Sequence, residues 1–352
     1  MKRKIGIVTF HYVDNYGAVL QTWALKKYLN SMPDVHAEII NYVPENYQIF
    51  PYERTHEGIE MMQKKRLKYE TFLQQEELVT KPMQHSLTGK EYDYYIVGSD
   101  QVWNLEFREN VSNEYLFPNL DRDAKRISYA ASIGKKISPS EVDLFRQYLN
   151  KFSAISVREQ SSVQELDALG IKGVDTVVDP TLLLDAEDYE TLIKEPDNKP
   201  SDFLFFFTYP MGDEVRKYIP FVNNLARENG LSIIHSLVGS PSTLFSNNVG
   251  CMMYEGIGEF LWYIRNARAI VTMSYHGVIL GRLFGKPTYV IHREHGWGRL
   301  EQLDRIIDLN DSIIKNDWPM KKWSISDSSK DLGNLTEWRT RSRSFLKSAL
   351  EG

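Results

Sequence analysis

The stretch TMSYHGVILGRLFGKP, Thr272 to Pro287, carries an apolar β-branched run into Ser274, Tyr275, His276 and Gly277, followed by small and aliphatic residues at helical spacing. That pattern puts an imidazole just past a strand, at the positive end of a helix dipole. A group titrating near neutrality there suits proton transfer, so His276 is a candidate acid or base, with Ser274, Tyr275 and Gly277 beside it. The plainer alternative is a structural histidine.

Three other strand-end stretches carry polar groups. Arg158 closes the run Ala154 to Val157 and precedes Glu159 and a helical stretch. Its planar fork suits a carboxylate or phosphate, with Asp179, before Pro180, placed to orient it; an Arg158–Glu159 surface pair is the alternative. GSDQVWN, Gly98 to Asn104, follows the apolar YDYYIV. Here Gly98 allows close approach, Ser99 and Asp100 present short polar groups, and Trp103 offers a face for a sugar or else fills the core. In HYVDNYGAVLQ, His11 and Tyr16 flank a turn where Asp14 or Asn15 can cap a helix and Gly17 lets backbone N–H groups approach an anion. With no GxGxxG and no Walker lysine, this is neither a dinucleotide nor a P-loop signature.

Elements that would position these groups follow from periodicity. Short apolar runs alternate with amphipathic stretches throughout, the pattern of βα units in parallel sheets. Strands are expected at Ile5–Phe10, Glu38–Val43, Tyr94–Val97, Ile127–Ala131, Ala154–Val157 and Thr176–Val178, then at Phe203–Thr208, Ile233–Val238, Ile270–Met273 and Thr288–Ile291. Helices are expected at Ala18–Leu29, Glu57–Leu78 with Met61, Leu67 and Phe72 inward, Pro139–Asn150, Gln160–Leu169, Asp213–Asn229, Ile257–Asn266, Val278–Phe284 and Leu335–Leu350. The polar EPDNKPS, Glu195 to Ser201, reads as a linker, giving domains 1–195 and 196–352. The last helix is expected to pack back across the body. The fold class is therefore α/β, in two similar halves, with ligands outside the carboxyl ends of the strands and an interdomain cleft as the natural site.

Composition narrows the function classes. The 352 residues are 42% hydrophobic and 25% charged, the balance of a folded protein, and the net charge of -5 argues against coating nucleic acid. A single cysteine, Cys251, builds neither a disulfide nor a thiolate metal site, which fits a reducing compartment. His292 and His295 lack the HExxH spacing, so no metal is expected. The start, MKRKIGIVTF, reads as a first strand rather than a signal peptide, because His11, Asp14 and Asn15 follow at once. No run approaches the roughly 18 apolar residues of a membrane span. The basic, aromatic WPMKKW, Trp318 to Trp323, reads as a surface loop or a membrane contact.

Six blocks, NYGAVLQTWAL, YDYYIVGSDQVWN, ISYAAS, ISVREQSS, VVDPTLLL and TMSYHGVILGRLFGKP, occur in the order that resembles the polysaccharide pyruvyl transferase family. The resemblance implies two Rossmann-like domains in a GT-B-like arrangement and ketal pyruvylation of glycans from phosphoenolpyruvate, without a further cofactor. It implies that His276 and Arg158 contact the donor. Ser99, Asp100 and the turn from His11 to Gly17 would line the acceptor side, with Asp100 as base toward the sugar. Tyr275 stands where phenylalanine or leucine is common, and Arg293 or Arg299 is the candidate second basic contact. The implied partners are phosphoenolpyruvate and a saccharide acceptor, free or lipid-linked. The implied location is the cytoplasm, at the inner membrane face for a lipid-linked acceptor, in exopolysaccharide or cell-envelope synthesis. The rival readings are a nucleotide-sugar glycosyltransferase and a non-catalytic glycan- or nucleotide-binding module.

Overall fold

A computed structural model describes residues 2–45, 47, 55–80, 83–88, 91–107, 113–121, 123–208, 213–237, 244–245, 249–292, 297–315, 325 and 332–351. The chain forms two compact units, the first from Met1–Ile49, Leu73–Leu184 and Asn334–Gly352, the second from Phe50–Phe72 and Asp185–Gly333.

In the first unit, strands β1 (Arg3–Val8), β2 (Val35–Ile39), β3 (Tyr94–Val97), β4 (Lys125–Ala131), β5 (Ala154–Val157) and β6 (Val174–Thr176) pair in parallel in the order β2-β1-β3-β4-β5-β6. Helices α1 (Tyr16–Asn30), α3 (Val142–Leu149) and α4 (Gln160–Ala168) belong to it, while α2 (His56–Gln75) runs from the second unit into the first. Strand order reverses between β1 and β3, and the crevice at their carboxyl ends is where ligands enter open α/β sheets. All four residues of β3 are buried, because a parallel sheet is covered on both faces.

The second unit repeats the logic with β7 (Phe203–Phe207), β8 (Ser232–His235), β9 (Val249–Cys251), β10 (Ala269–Thr272), β11 (Thr288–Ile291) and β12 (Ile313–Ile314). These are again all parallel, in the order β12-β11-β10-β7-β8-β9. Its helices are α5 (Ala186–Glu190), α6 (Asp213–Arg216), α7 (Ile219–Glu228), α8 (Ile257–Asn266), α9 (Tyr275–Leu283) and α10 (Trp297–Ile307). Counted from β7, this is the Rossmann strand order, with its switch point between β7 and β10. The run FLFFF of β7 is buried at every position.

Several boundaries differ from the periodicity. The helix expected over Asp213–Asn229 is broken into α6 and α7, where Pro220 sits in the first turn of α7; proline fits a helix start and not a helix interior. In α2 the inward face is Met62, Lys65, Tyr69 and Phe72, whereas Leu67 is 63% exposed. Strand β2 lies three residues earlier than expected, and β9, α10 and β12 were not foreseen. The first unit ends at Leu184 rather than at EPDNKPS. The reason is that the α5 segment packs on α8: the Lys194 N–H donates to Gly258 O at 3.2 Å, Arg265 pairs with Glu190, and a Cβ on Gly258 would lie 2.7 Å from Leu192 O. Helix α11 (Leu335–Glu351), assigned by chain order to the second domain, belongs to the first unit. Among the described residues, no helix is long and apolar enough to cross a membrane. WPMKKW lies outside the described residues.

Candidate active site

At the β1/β3 switch point of the first unit the polar groups form a buried network. Thr9 Oγ1 donates to Ser99 O at 3.0 Å, Gln21 Nε2 donates to Thr9 Oγ1 at 2.8 Å, and the Ser99 N–H donates to Gln21 Oε1 at 3.1 Å. Sequence reading missed Gln21 as a contributor; its signal was a polar side chain on the apolar face of α1, among Ala18, Leu20, Ala24 and Leu25. His11 is 2% exposed, its ring nitrogens 3.2 Å from Thr9 O and 3.0 Å from Asn41 Oδ1. Asn15 is the α1 cap, accepting from the Gly17 and Ala18 N–H groups at 2.9 and 3.2 Å. These two donors, expected to face an anion, are therefore spent on the cap. Tyr16, the first helical residue, is buried.

The segment after β3 turns sharply. Gly98 has φ +113 and a Cβ there would lie 2.3 Å from Tyr129 O, so no other residue fits. Asp100 follows at φ +75, and facing it in β4 Ala130 sits at φ +50 beside a register shift between Ser128 and Ala131. Two non-glycine residues in the left-handed region cost about 1–3 kcal/mol each, and such strain concentrates at functional sites. Serines support the irregularity: the Ala130 N–H donates to Ser156 Oγ at 3.3 Å, and Ser99 Oγ donates to Ala130 O at 2.9 Å. Ser132 Oγ is buried and has no hydrogen-bond partner among the described residues.

Three carboxylates surround Arg158, whose side chain is 1% exposed. Glu159 Oε1 lies 3.0 Å from Nε, Asp179 Oδ2 2.9 Å from one terminal nitrogen, and Asp100 Oδ1 3.6 Å from the other. Asp179 thus does orient the arginine, and the Glu159 pair is a buried one rather than a surface pair. Asp179 Oδ2 is also 3.3 Å from Ser99 Oγ, while its Oδ1 accepts from Thr181 N–H and Oγ1 at 3.0 and 2.7 Å. Of the fork expected to receive a ligand's carboxylate or phosphate, Nε and one terminal nitrogen hydrogen-bond protein carboxylates, and the other faces Asp100 at 3.6 Å, beyond hydrogen-bond reach. Asp100 alone of the three reaches the surface, its side chain 15% exposed against 3% for Glu159 and 0% for Asp179.

Trp103 does not serve as a sugar platform. It is 0% exposed, its Nε1–H donates to Tyr115 O at 3.1 Å, and its ring meets Phe145 and Phe152 edge-on in the core. Burying so large a ring outweighs what one stacking face in water contributes.

The second unit holds the other cluster at its own switch point. Thr272 Oγ1 donates to Phe207 O at the ends of β10 and β7, and the Ser274 N–H donates back to Thr272 Oγ1 at 3.0 Å. Ser274 caps α9, its Oγ accepting from the Gly277 N–H at 3.3 Å. Tyr275 and His276 then form the first turn, 5% and 6% exposed, their rings edge to face at 5.3 Å. The helix thus begins three residues before its expected start and carries the imidazole inside its positive end. Gly277 is needed for contact: a Cβ would lie 2.9 Å from both Phe207 Cδ1 and Thr272 Oγ1. Arg299 is half-buried on α10, and Arg293 lies outside the described residues.

Solved structures of similar fold include the MnaA–UDP co-structure from S. aureus, with TM-score 0.56 and 11% identity over 100% of this chain and 97% of that one. UDP-GlcNAc 2-epimerase from Neisseria meningitidis bound to UDP-GlcNAc gives 0.53 and 12% over 99% and 100%. HepE from Anabaena in complex with UDP and glucose gives 0.52 and 9% over 99% and 98%. At these identities the likeness is one of fold, a two-domain GT-B-like α/β architecture. No match was found among curated proteins. A family profile described as polysaccharide pyruvyl transferase matches residues 15–295, a span that holds Gln21, Ser99, Asp100, Arg158, Asp179 and His276. Because that match spans more than three-quarters of its length, the chain belongs to the polysaccharide pyruvyl transferase family.

Proposed function

We propose that the protein transfers the enolpyruvyl carbon skeleton of phosphoenolpyruvate to two hydroxyls of one sugar, forming a pyruvate ketal on a cell-envelope or exopolysaccharide glycan precursor. The observation that carries this reading is His276, buried in the first turn of α9 at the β7/β10 switch point. His276 donates a proton to the methylene carbon of the donor, which becomes a methyl group. The central carbon, now electron-poor, bonds to the first sugar oxygen as that hydroxyl gives up its proton to a base. The bond from that carbon to the phosphate oxygen then breaks, and the second hydroxyl adds with loss of its proton. Of the two hydroxyl protons, one balances the new methyl group and the other the released phosphate. The positive end of α9 and Arg299 supply charge complementary to the donor's anionic groups.

Phosphate release from phosphoenolpyruvate across a panel of β-galactoside and N-acetylhexosamine acceptors, free and lipid-linked, tests the reading. A product heavier than its acceptor by pyruvic acid less one water supports it. Binding of UDP or hydrolysis of a UDP-sugar, with no response to phosphoenolpyruvate, replaces it with nucleotide-sugar chemistry, for which UDP in structures of similar fold is the motive.

A further inference from the structure

The engagement of Arg158 has a chemical consequence. Among the described residues the Arg158 guanidinium faces three carboxyl groups, those of Asp100, Glu159 and Asp179. A ligand carboxylate or phosphate brought there meets like charge in surroundings that screen poorly. Asp100, by contrast, is held on one side only. Its Oδ1 accepts the Gln101 N–H at 2.8 Å and faces Arg158 at 3.6 Å, and among the described residues no hydrogen bond reaches Oδ2. Both residues hang from the end of β4: the Arg158 N–H donates to Ala131 O at 3.0 Å, and the Ser132 N–H donates to Asp100 O at 2.9 Å. The carboxylate is thereby fixed in position while one oxygen keeps its lone pairs.

We propose that Arg158 is a positioning residue. It holds Asp100 Oδ1 so that Oδ2 receives the acceptor's hydroxyl proton, and this strand end takes a neutral sugar hydroxyl rather than the donor's anionic groups. The assignment rests on the pyruvyl-transfer reading above. A donor clamp at Arg158 would bring an anion against the buried carboxyl groups that Nε and one terminal nitrogen already hydrogen-bond.

The test compares Arg158→Lys, Asp100→Asn and the double variant, with folding checked by circular dichroism. In each, kcat falls by about 100-fold or more, while the dissociation constant for phosphoenolpyruvate stays within about twofold of the parent. The double variant is no slower than Asp100→Asn, because two residues acting as one unit are not additive. An Arg158→Lys variant that binds phosphoenolpyruvate about tenfold or more weaker, or whose loss multiplies with that of Asp100→Asn, overturns the proposal. Should Arg158→Lys not fold, Asp179→Asn decides. It removes one negative charge beside the guanidinium, so a clamp would bind phosphoenolpyruvate tighter, whereas a positioning arginine leaves that constant unmoved.

Inorganic phosphate gives an arm that needs no turnover. The thermal shift it confers, including none, is equal in the parent and in Asp179→Asn if Arg158 only positions; a larger shift in Asp179→Asn overturns the assignment. A parent that ignores phosphoenolpyruvate defeats the pyruvyl-transfer reading, and the phosphate arm still decides the role of Arg158.

Discussion

The Val178 backbone N–H donates to Ser342 Oγ at 3.0 Å across 164 residues, tying α11 to the residue that precedes Asp179. Arg339 donates to the carbonyls of Leu182 and Leu184, and Arg343 to that of Leu183 at 2.8 Å. The turn that presents Asp179 to Arg158 and Ser99 therefore has the carbonyls of Leu182, Leu183 and Leu184 satisfied by guanidinium groups of the last helix. A short 3-10 turn has few internal bonds of its own, so these outside partners set its shape.

Ser342→Ala should lower stability by about 1–3 kcal/mol, because it strands a buried N–H. Thermal denaturation is expected to show a fall of a few degrees, against no change for Ser344→Ala on the exposed face of the same helix. Equal melting of the two variants would show that the Val178 bond contributes nothing.

At Gly98 the substitution to alanine should abolish soluble expression or cooperative unfolding of the first unit. The new methyl would sit 2.3 Å from Tyr129 O at φ +113, a clash with backbone on both counts. Losses above about 4 kcal/mol are the expectation for strain of this kind.

His276→Gln keeps size and polarity but cannot cycle a proton. Phosphate release should drop by about 100- to 10,000-fold with the melting temperature little changed. Retention of turnover within a few-fold would remove the imidazole from the mechanism.

Acid should weaken the second unit through His235. This ring is 3% exposed, its Nδ1 accepts the Leu237 N–H at 3.1 Å, and it stacks on Phe245. Burial lowers it from the ordinary 6.5 to about 4. Between those values the unfolded chain binds more protons than the native one, so stability is full above pH 6.5 and is lost as pH falls toward 4. The loss is bounded at about 3 kcal/mol. His235→Asn, whose amide oxygen can replace Nδ1 as acceptor, should melt with a smaller drop between pH 7 and pH 4.5.

How much of this was legible beforehand varies by residue. Arg158, Asp100, Ser99 and His276 all stood at ends of apolar runs, and parallel sheets expose such positions where strand order reverses. Asp179 was recognisable as a partner of Arg158 for the same reason. Trp103 was not legible, since a tryptophan after a strand fits a binding face and a core equally well by type and spacing. Gln21 hid inside a helix, where its polarity had no stated partner until β3 and β1 lay side by side. The early start of α9 at Tyr275 was masked by glycine at 277, a residue there for close packing that usually argues against helix.

What the linear order of residues determined is the alternation of strand and helix, the polar groups at strand ends, and the family blocks, because each depends on neighbours within one or two turns. Tertiary structure alone decided which of those groups meet. Asp100, Arg158 and Asp179 converge because β3, β4, β5 and β6 lie side by side in one sheet. Helix α11 joins the first unit and most of α2 the second for the same kind of reason. Pairing across dozens of residues is settled by which buried surfaces and backbone hydrogen bonds can be satisfied together, and local periodicity carries no record of that choice.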